Sequence, residues 1–391
     1  KSFSYTIMIL FLTLELAAQE QSFSPPRIYL TTDIMSASPP VIDGILNDSA
    51  WSSVDWGTNF VEVNPDENTL PSVQTKFKIL YDQKHLYIAL KAFDPDPSTI
   101  TNRLSRRDGF VGDRINVLID SYHDLRTAFL FTVTAAGVRG DEFVTDNGKN
   151  FDDSWNPIWT TEAVIDDEGW SAEMKIPLSQ LRFNSDSVQV WGLNVARNYF
   201  KKNELSAWDR IPVGSAGWVS EAGELHGLKN IDPQKQIEIQ PFTVTKLDYY
   251  EAEIDNPYLD GNDFSFNTGL DAKFGITNDL TLDVTINPDF GQVEADPAAI
   301  ALDGFEVFNR DQRPFFVENK NIFNYQFSGN RNNLFFSRRI GRNPQLNPEI
   351  SAGSFINKPK NTTILGAAKF SGKTKNGWSI GILESMTSKE F

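Results

Sequence analysis

Phe264-Ser-Phe-Asn-Thr-Gly-Leu-Asp-Ala-Lys-Phe-Gly-Ile276, then Thr277-Asn278-Asp279, then Leu280-Thr-Leu-Asp-Val-Thr-Ile286: this stretch decides the fold of the second half of the chain. The even positions are mostly apolar: Phe264, Phe266, Leu270, Ala272, Phe274, Ile276, Leu280, Leu282, Val284 and Ile286. The odd positions carry Ser265, Asn267, Asp271, Lys273, Thr281, Asp283 and Thr285. Successive side chains of a strand point to opposite faces, so each strand has one greasy and one polar face. Membrane-spanning strands need roughly 9–11 residues of this kind, with lipid outside and water inside. A half-buried soluble sheet gives the same alternation in shorter strands. The pattern alone leaves both open.

Working outward, this grammar begins near residue 237 and is absent before it, so a chain of 391 residues divides into two domains. The formal charge of −16 argues against nucleic acid, whose phosphates would repel it. There is no cysteine, which excludes disulfides, a lipid-modified cysteine, thiolate metal sites and a cysteine nucleophile. Residues 1–19 read as a signal peptide. Lys1 supplies positive charge, Tyr5 to Leu14 is a short apolar core, and Ala17-Ala18-Gln19 is a processing site. That run is too short to cross a bilayer as a helix, and no other segment qualifies. A membrane role for this chain therefore requires a closed barrel.

Residues 24–235 contain many short strands and little helix. Lys76 to Tyr81 and Leu86 to Phe93 flank Asp82-Gln-Lys-His85 as a hairpin, and further strands are expected over 114–120, 129–134, 162–165, 170–176 and 188–196. The fold class is all-β, with a β-sandwich here. Val41-Ile-Asp-Gly-Ile-Leu-Asn-Asp-Ser-Ala-Trp51 resembles the opening signature of carbohydrate-binding module family 9. So do Leu80-Tyr81-Asp82 with Leu86-Tyr-Ile-Ala89, Gly112-Asp113 before Val117-Leu-Ile-Asp120, and Gly169-Trp-Ser-Ala-Glu-Met-Lys-Ile-Pro177 before Leu181-Arg-Phe183. The resemblance implies an immunoglobulin- or jelly-roll-like sandwich that binds sugar chain ends and travels with glycoside hydrolases such as xylanases. The family's two sandwiching aromatics do not align onto particular residues here.

Sugar recognition asks for flat aromatic faces against pyranose C–H groups and a few polar groups for the hydroxyls. Trp51, Trp170 and Trp191 sit in strongly patterned positions and are expected to pack. Trp155 and Trp159, in the loop-like Asp152-Asp-Ser-Trp-Asn-Pro-Ile-Trp159, are the candidate carbohydrate platforms. Calcium takes six to eight oxygen ligands. Asp94 with Asp96, and Asp141-Glu142 with Asp146-Asn147, are its candidates, although neither cluster has EF-hand spacing and solvated turns explain both. No other cofactor is expected.

In residues 237–391, four segments resemble a Bacteroidetes-type outer-membrane β-barrel family of unknown function, family 5916. They are Asn287-Pro-Asp-Phe-Gly-Gln-Val-Glu-Ala-Asp-Pro297, Phe305-Glu-Val-Phe308, Arg313-Pro-Phe-Phe-Val-Glu318 and Phe336-Ser-Arg-Arg-Ile-Gly-Arg342. That likeness favours the barrel reading. A plug-like insert is expected at about 288–330, with Asp296 capping a helix over Ala298 to Phe308. Arg338, Arg339 and Arg342 are expected to face a polar lumen and to pair with acids such as Asp271 and Asp283, the alternative being that they grip an anionic solute. About six strands follow residue 237, and bacterial barrels need at least about eight, so the chain is expected to be a truncated part of a longer protein.

Gly377-Trp-Ser379-Ile-Gly381 matches the spacing of a nucleophile elbow, but Ser379 lies in an alternating strand and His85, His123 and His226 all precede it. No pair of carboxylates stands in an acid/base motif. The expected function is therefore binding: an exported outer-membrane protein whose sandwich holds a glycan or polysaccharide and whose barrel, in contact with outer-membrane lipid, anchors it and passes solute. The alternatives are an accessory module of a secreted glycoside hydrolase acting on O-glycosyl bonds, and a structural envelope protein without sugar binding.

Overall fold

The computed structural model describes residues 25–34, 38–153, 155–232, 235–277, 280–288 and, beyond 310, residues 311, 313–317, 319–323, 325, 334–344, 349, 351, 353–357, 359, 361–374 and 378–389. The expected signal peptide and the helix over 298–308 lie outside the described residues.

The first domain is two sheets face to face. The larger runs, edge to edge, through Ile28–Leu30, Gly223–Lys229, Val188–Tyr199, Arg114–Asp120, Ala128–Thr134, Arg139–Thr145 and Asn150–Asp152, with Glu204–Ala207 and Val61–Asn64 attached to the side of Val188–Tyr199. The smaller runs through Thr160–Asp166, Gly169–Pro177, His85–Phe93, Thr75–Tyr81 and Thr32–Asp33. The predicted hairpin is present, with Thr75–Tyr81 antiparallel to His85–Phe93. Alternation dictates what each strand buries. Ile115, Val117 and Ile119 of one sheet and Phe77, Ile79, Leu86, Ile88 and Leu90 of the other meet in one core with Trp170 and Trp191.

The signature residues of this domain are structural. Glu173, fully buried, accepts the backbone N–H groups of Asp43 and Gly44 at 3.1 Å each and the indole N–H of Trp51 at 2.8 Å. Those three donors offset the burial that pushes its pKa up. Asp113 does the same for a second group. It pairs with the Arg197 guanidinium at 2.6 Å and accepts the Trp170 indole N–H at 3.1 Å and the Phe200 amide at 2.8 Å. Buried charges persist only when paired and hydrogen-bonded in this way.

The second domain contains an antiparallel meander, Ile237–Tyr249, Asn262–Gly275, Leu280–Ile286, Ile364–Lys373 and Ser379–Thr387. These are five strands among the described residues, rather than about six, and they form an open sheet with no closed barrel. Its burial is inverted. Thr281, Asp283, Thr285, Lys369 and Ser371 are buried, whereas Phe264, Phe266, Ile286, Ile382 and Met386 are each more than half exposed. The polar face is covered by the short helices Pro314–Val317 and Lys320–Phe323, part of the expected insert. Phe315 and Phe316 pack on Ile364 and Ala367. Asn319 donates to the Ser371 hydroxyl at 2.9 Å, and Lys369 donates to the Phe315 carbonyl at 2.5 Å.

The acids expected to pair with loop arginines also have partners on the sheet. Asp283 pairs with Lys369 at 3.6 Å, and Asp271 accepts the Thr285 hydroxyl at 2.5 Å. Cross-strand register places these partners directly opposite, Asp271 facing Thr285 and Asp283 facing Lys369. Arg313 instead is the buried arginine. It forks onto Asp311 and reaches the carbonyls of Ser337 and Ile340.

Candidate functional site

The outward face of the larger sandwich sheet carries a cleft of about 300 Å³. Its floor follows from strand alternation. Arg114, Asn116 and Leu118 point into it because Ile115, Val117 and Ile119 point into the core, and Asn194, Ala196 and Asn198 do so opposite Leu193, Val195 and Arg197. In register, Asn198 faces Arg114, Ala196 faces Asn116 and Asn194 faces Leu118. Leu130 and Glu142 extend the Leu118 row across the next two strands.

The polar groups of the floor are oriented by one another. Thr132 donates its hydroxyl to Asn116 at 2.9 Å, and Asn116 donates to the Asn198 carbonyl oxygen at 3.0 Å. That fixes both amides and leaves the Asn198 NH₂ turned to the cleft. Asn194 is spent on the backbone of Asp209, through bonds of 3.0 and 3.1 Å. The Arg114 guanidinium lies 5.3 Å from the centre of the Phe110 ring, a cation–π contact. Burial lowers its pKa, opposed by the carboxylate of Glu142. Burial raises the pKa of Glu142, and Asp153 and Asp108 raise it further.

Three aromatics form the rim. Phe110 occupies the space a side chain at position 140 would need: a Cβ on Gly140 would sit 2.3 Å from its ring. Phe151 and Trp218, both more than a third exposed, meet edge to face at 6.2 Å. Asn147 staples the Trp218 loop. Its carbonyl accepts the Trp218 amide at 3.0 Å, and its side chain exchanges bonds with Ser220 at 2.9 and 3.0 Å. Asn147 adopts φ +57°, a left-handed conformation that asparagine tolerates. Gly217 is required beside it, because a Cβ there would lie 1.8 Å from the Asn147 carbonyl oxygen.

The cleft therefore offers a guanidinium, a carboxylate, aligned amides and flat rings. Glu142 is the one carboxylate among its lining residues, and no serine, cysteine or histidine lines it. That set can hold a polyhydroxylated molecule; it lacks the acid/base pair that glycoside cleavage uses. Ser379 belongs to the strand Ser379–Thr387, paired with Ile364–Lys373, not to a strand-to-helix turn.

The residues expected from sequence lie elsewhere. Trp159 is 2 % exposed, stands edge-on to Phe131 at 5.3 Å and donates its indole N–H to Asp141 at 2.9 Å. Trp155 packs on Phe129 at 4.8 Å and Phe131 at 5.5 Å. Both stand on the core side of Ala128–Thr134, opposite the cleft, so Trp159 has no free ring face and belongs to the core. Trp51, Trp170 and Trp191 are buried as expected.

The calcium candidates are also otherwise engaged. Lys201 holds both carboxylate oxygens of Asp94, at 2.7 and 2.8 Å. Asp96 accepts the Ser98 hydroxyl at 2.6 Å. Arg107 and Trp159 occupy Asp141, and Asp146 is an exposed turn residue. Among the described residues no group of three His, Asp or Glu side chains is arranged to hold a metal. Sequence reasoning did not single out Arg114, Asn116, Asn198, Phe110 or Trp218 for this cleft, and named Glu142 only as part of a calcium candidate. The available signal was the alternation of Arg114–Asp120, whose outward positions carry a cation and an amide.

Residues 42–211 match the family described as carbohydrate family 9 binding domain-like, and residues 234–391 match a domain of unknown function, DUF5916. Two solved structures are similar to the first domain. One is a carbohydrate binding module family 9 from Caldicellulosiruptor kristjanssonii in complex with cellotriose, 16% identical, with TM-score 0.39, covering 52% of this chain and 96% of that one. The other is a module of that family from the same organism in complex with glucose, 18% identical, with TM-score 0.38, covering 53% of this chain and 99% of that one. No curated protein matches the chain. The chain thus joins a carbohydrate family 9 binding domain-like β-sandwich to a DUF5916 domain.

Proposed function

We propose that this is a carbohydrate-binding protein of the outer membrane, in which the sandwich holds a glycan in the Arg114 cleft and the five-stranded sheet is part of a lipid-facing barrel wall. The observation that carries the binding half is the cleft itself. Arg114 supplies donors, Glu142 acceptors and Asn198 an oriented amide, while Phe110, Phe151 and Trp218 supply ring surface. Vicinal hydroxyls both donate and accept, which suits a floor of mixed charge better than a single-sign patch does. The membrane half is supported by the inverted sheet, with buried Asp283 and Lys369 and exposed Phe264, Phe266 and Ile382. Lipid is the solvent in which that arrangement costs least.

Calorimetric titration of the full chain in detergent with a panel of mono- and oligosaccharides tests the cleft. Arg114→Ala and Trp218→Ala are each expected to weaken binding about 10- to 100-fold, the cost of losing a charge-assisted hydrogen bond or a ring contact. Variants that bind as well as the parent rule out this cleft. No binding by any sugar favours a structural role. Retention of the chain in a carbonate-washed membrane pellet tests the wall, and recovery in the aqueous fraction without detergent rules it out.

A further inference from the structure

From the way the meander is connected we infer that the sandwich lies on the periplasmic side of the membrane, so that its cleft takes a glycan present in the periplasm. This rests on reading the sheet as a barrel wall. The two ends of the sheet are unlike. Ile237, the first residue of the wall, pairs with Phe274, and the Gly275 amide donates to the Gln236 carbonyl at 2.7 Å, so the chain leaves the sandwich at the end where Asn262–Gly275 finishes. Residues 276–279 make the next connection at that same end. Leu280 pairs with Gly372, so residues 374–378, which join the last two strands, are also there. The opposite ends of the strands are joined by residues 250–261 and 287–363.

Short connections thus share one end with the sandwich, and the long ones begin and finish at the other, although the second folds back over the sheet's polar face so that its Lys320 pairs with Asp152 of the sandwich at 2.7 Å. Outer-membrane barrels keep short turns in the periplasm and longer loops outside. The far hairpin is also strongly acidic, with Asp248, Glu251, Glu253, Asp255, Asp260 and Asp263 in or beside it. The two ends carry aromatic markers of the kind that sit at membrane–water boundaries: Trp378, highly exposed, at the sandwich end and Tyr249 at the other. The 13-residue strand between Ile237 and Tyr249 rises roughly 40 Å along its axis, enough for an apolar band of about 25 Å at barrel tilt. The sandwich itself joins the wall at its own end through Gln180, whose amide donates to Glu238 at 3.3 Å.

The absence of native cysteine makes the test direct, since a single introduced thiol is the only one. The full chain is expressed in a Gram-negative cell as Ala252→Cys, at the far hairpin, or Lys84→Cys, on the sandwich; both positions are exposed and outside the cleft. Intact cells are treated with a membrane-impermeant maleimide. Ala252→Cys is expected to react in intact cells, and Lys84→Cys only after the outer membrane is opened. Reaction of Lys84→Cys in intact cells, or protection of Ala252→Cys, in chains that stay in the carbonate-washed membrane overturns the sidedness alone. Chains that wash off the membrane overturn the barrel reading and this inference with it.

Discussion

Asp108 sits in a turn at φ +62°, accepts the Asp141 amide at 2.9 Å, and has its pKa pushed up to about 6, first by burial. The fully buried Asp120 is raised to about 6 for the same reason. A carboxyl whose folded pKa lies above its unfolded value, near 3.9, favours folding in its protonated form. That contribution is whole below about pH 4 and is lost as pH rises through about 6. Asp82 and Asp166, whose pKa values are lowered, act in the opposite direction, so the informative quantity is a difference between variants. Asp108→Asn keeps an acceptor oxygen and suits the left-handed turn. Its melting temperature relative to the parent is expected to rise between pH 4 and pH 6.5. Parallel pH profiles for the two proteins would remove Asp108 from the account.

The residue scale is also where sequence was least legible. Trp155 and Trp159 stand among acidic residues in a proline-containing stretch and read as loop aromatics. An acid outside that stretch, Asp141 on the strand Arg139–Thr145, is the buried acceptor for the Trp159 indole. Arg114 and Asn116 read as solvent-facing positions of a half-buried strand. Only the fold shows that the cleft side of that strand is walled by Phe110, Phe151 and Trp218, which come from distant loops and an edge strand. The family signatures do not help, because their Asp-Gly, Trp and Gly-Asp residues converge on Glu173 and Asp113 and hold the sandwich together.

At the scale of the element, period-two alternation set the longer patterned strands, their faces and the Thr75–Tyr81/His85–Phe93 hairpin, but not Arg139–Thr145, Glu204–Ala207 or Gly223–Lys229. It hid a cross-strand row. Glu238, Lys273, Asp283 and Lys369 lie opposite one another on four successive strands, alternating in sign. Lys273 approaches Glu238 at 4.0 Å and Lys369 approaches Asp283 at 3.6 Å. A one-residue slip would carry any of these charges to the apolar face, so the row specifies register as well as stability. Lys369→Ala strips a buried partner from Asp283 and is expected to cost about 3–5 kcal/mol in urea unfolding from detergent micelles. Combining it with Asp283→Ala is expected to cost less than the sum of the two single changes. An additive double mutant would show that the two charges act independently.

On the scale of the molecule, the order of the two domains and their all-β class were readable from composition shift and strand grammar. The openness of the second sheet was readable too, because about six strands after residue 237 are fewer than the eight or so that closure needs. The sandwich has its own continuous core, and its ties to the rest are local: Lys320 to Asp152 at 2.7 Å, and Gln180 to Gln236 and Glu238. A chain ending at Lys235 is therefore expected to be monomeric without detergent, to melt within about 3 °C of the sandwich transition in the full chain, and to keep its sugar affinity. Aggregation of that fragment on gel filtration would mean that the sheet completes the sandwich.

The inverted sheet has a further consequence for biogenesis. Each strand carries a row of side chains that water disfavours and a row of charges that a dry core disfavours, so neither folding early nor collapsing alone gives it a stable resting state. The sandwich, with its own continuous core, can form as soon as it is synthesised. On the proposed barrel reading, the strands that follow have to be kept from pairing with other copies until a hydrocarbon phase receives them. On that reading one polypeptide matures in two media in succession, and holdase chaperones acting between those stages would meet residues beyond Ile237 and ignore those before it.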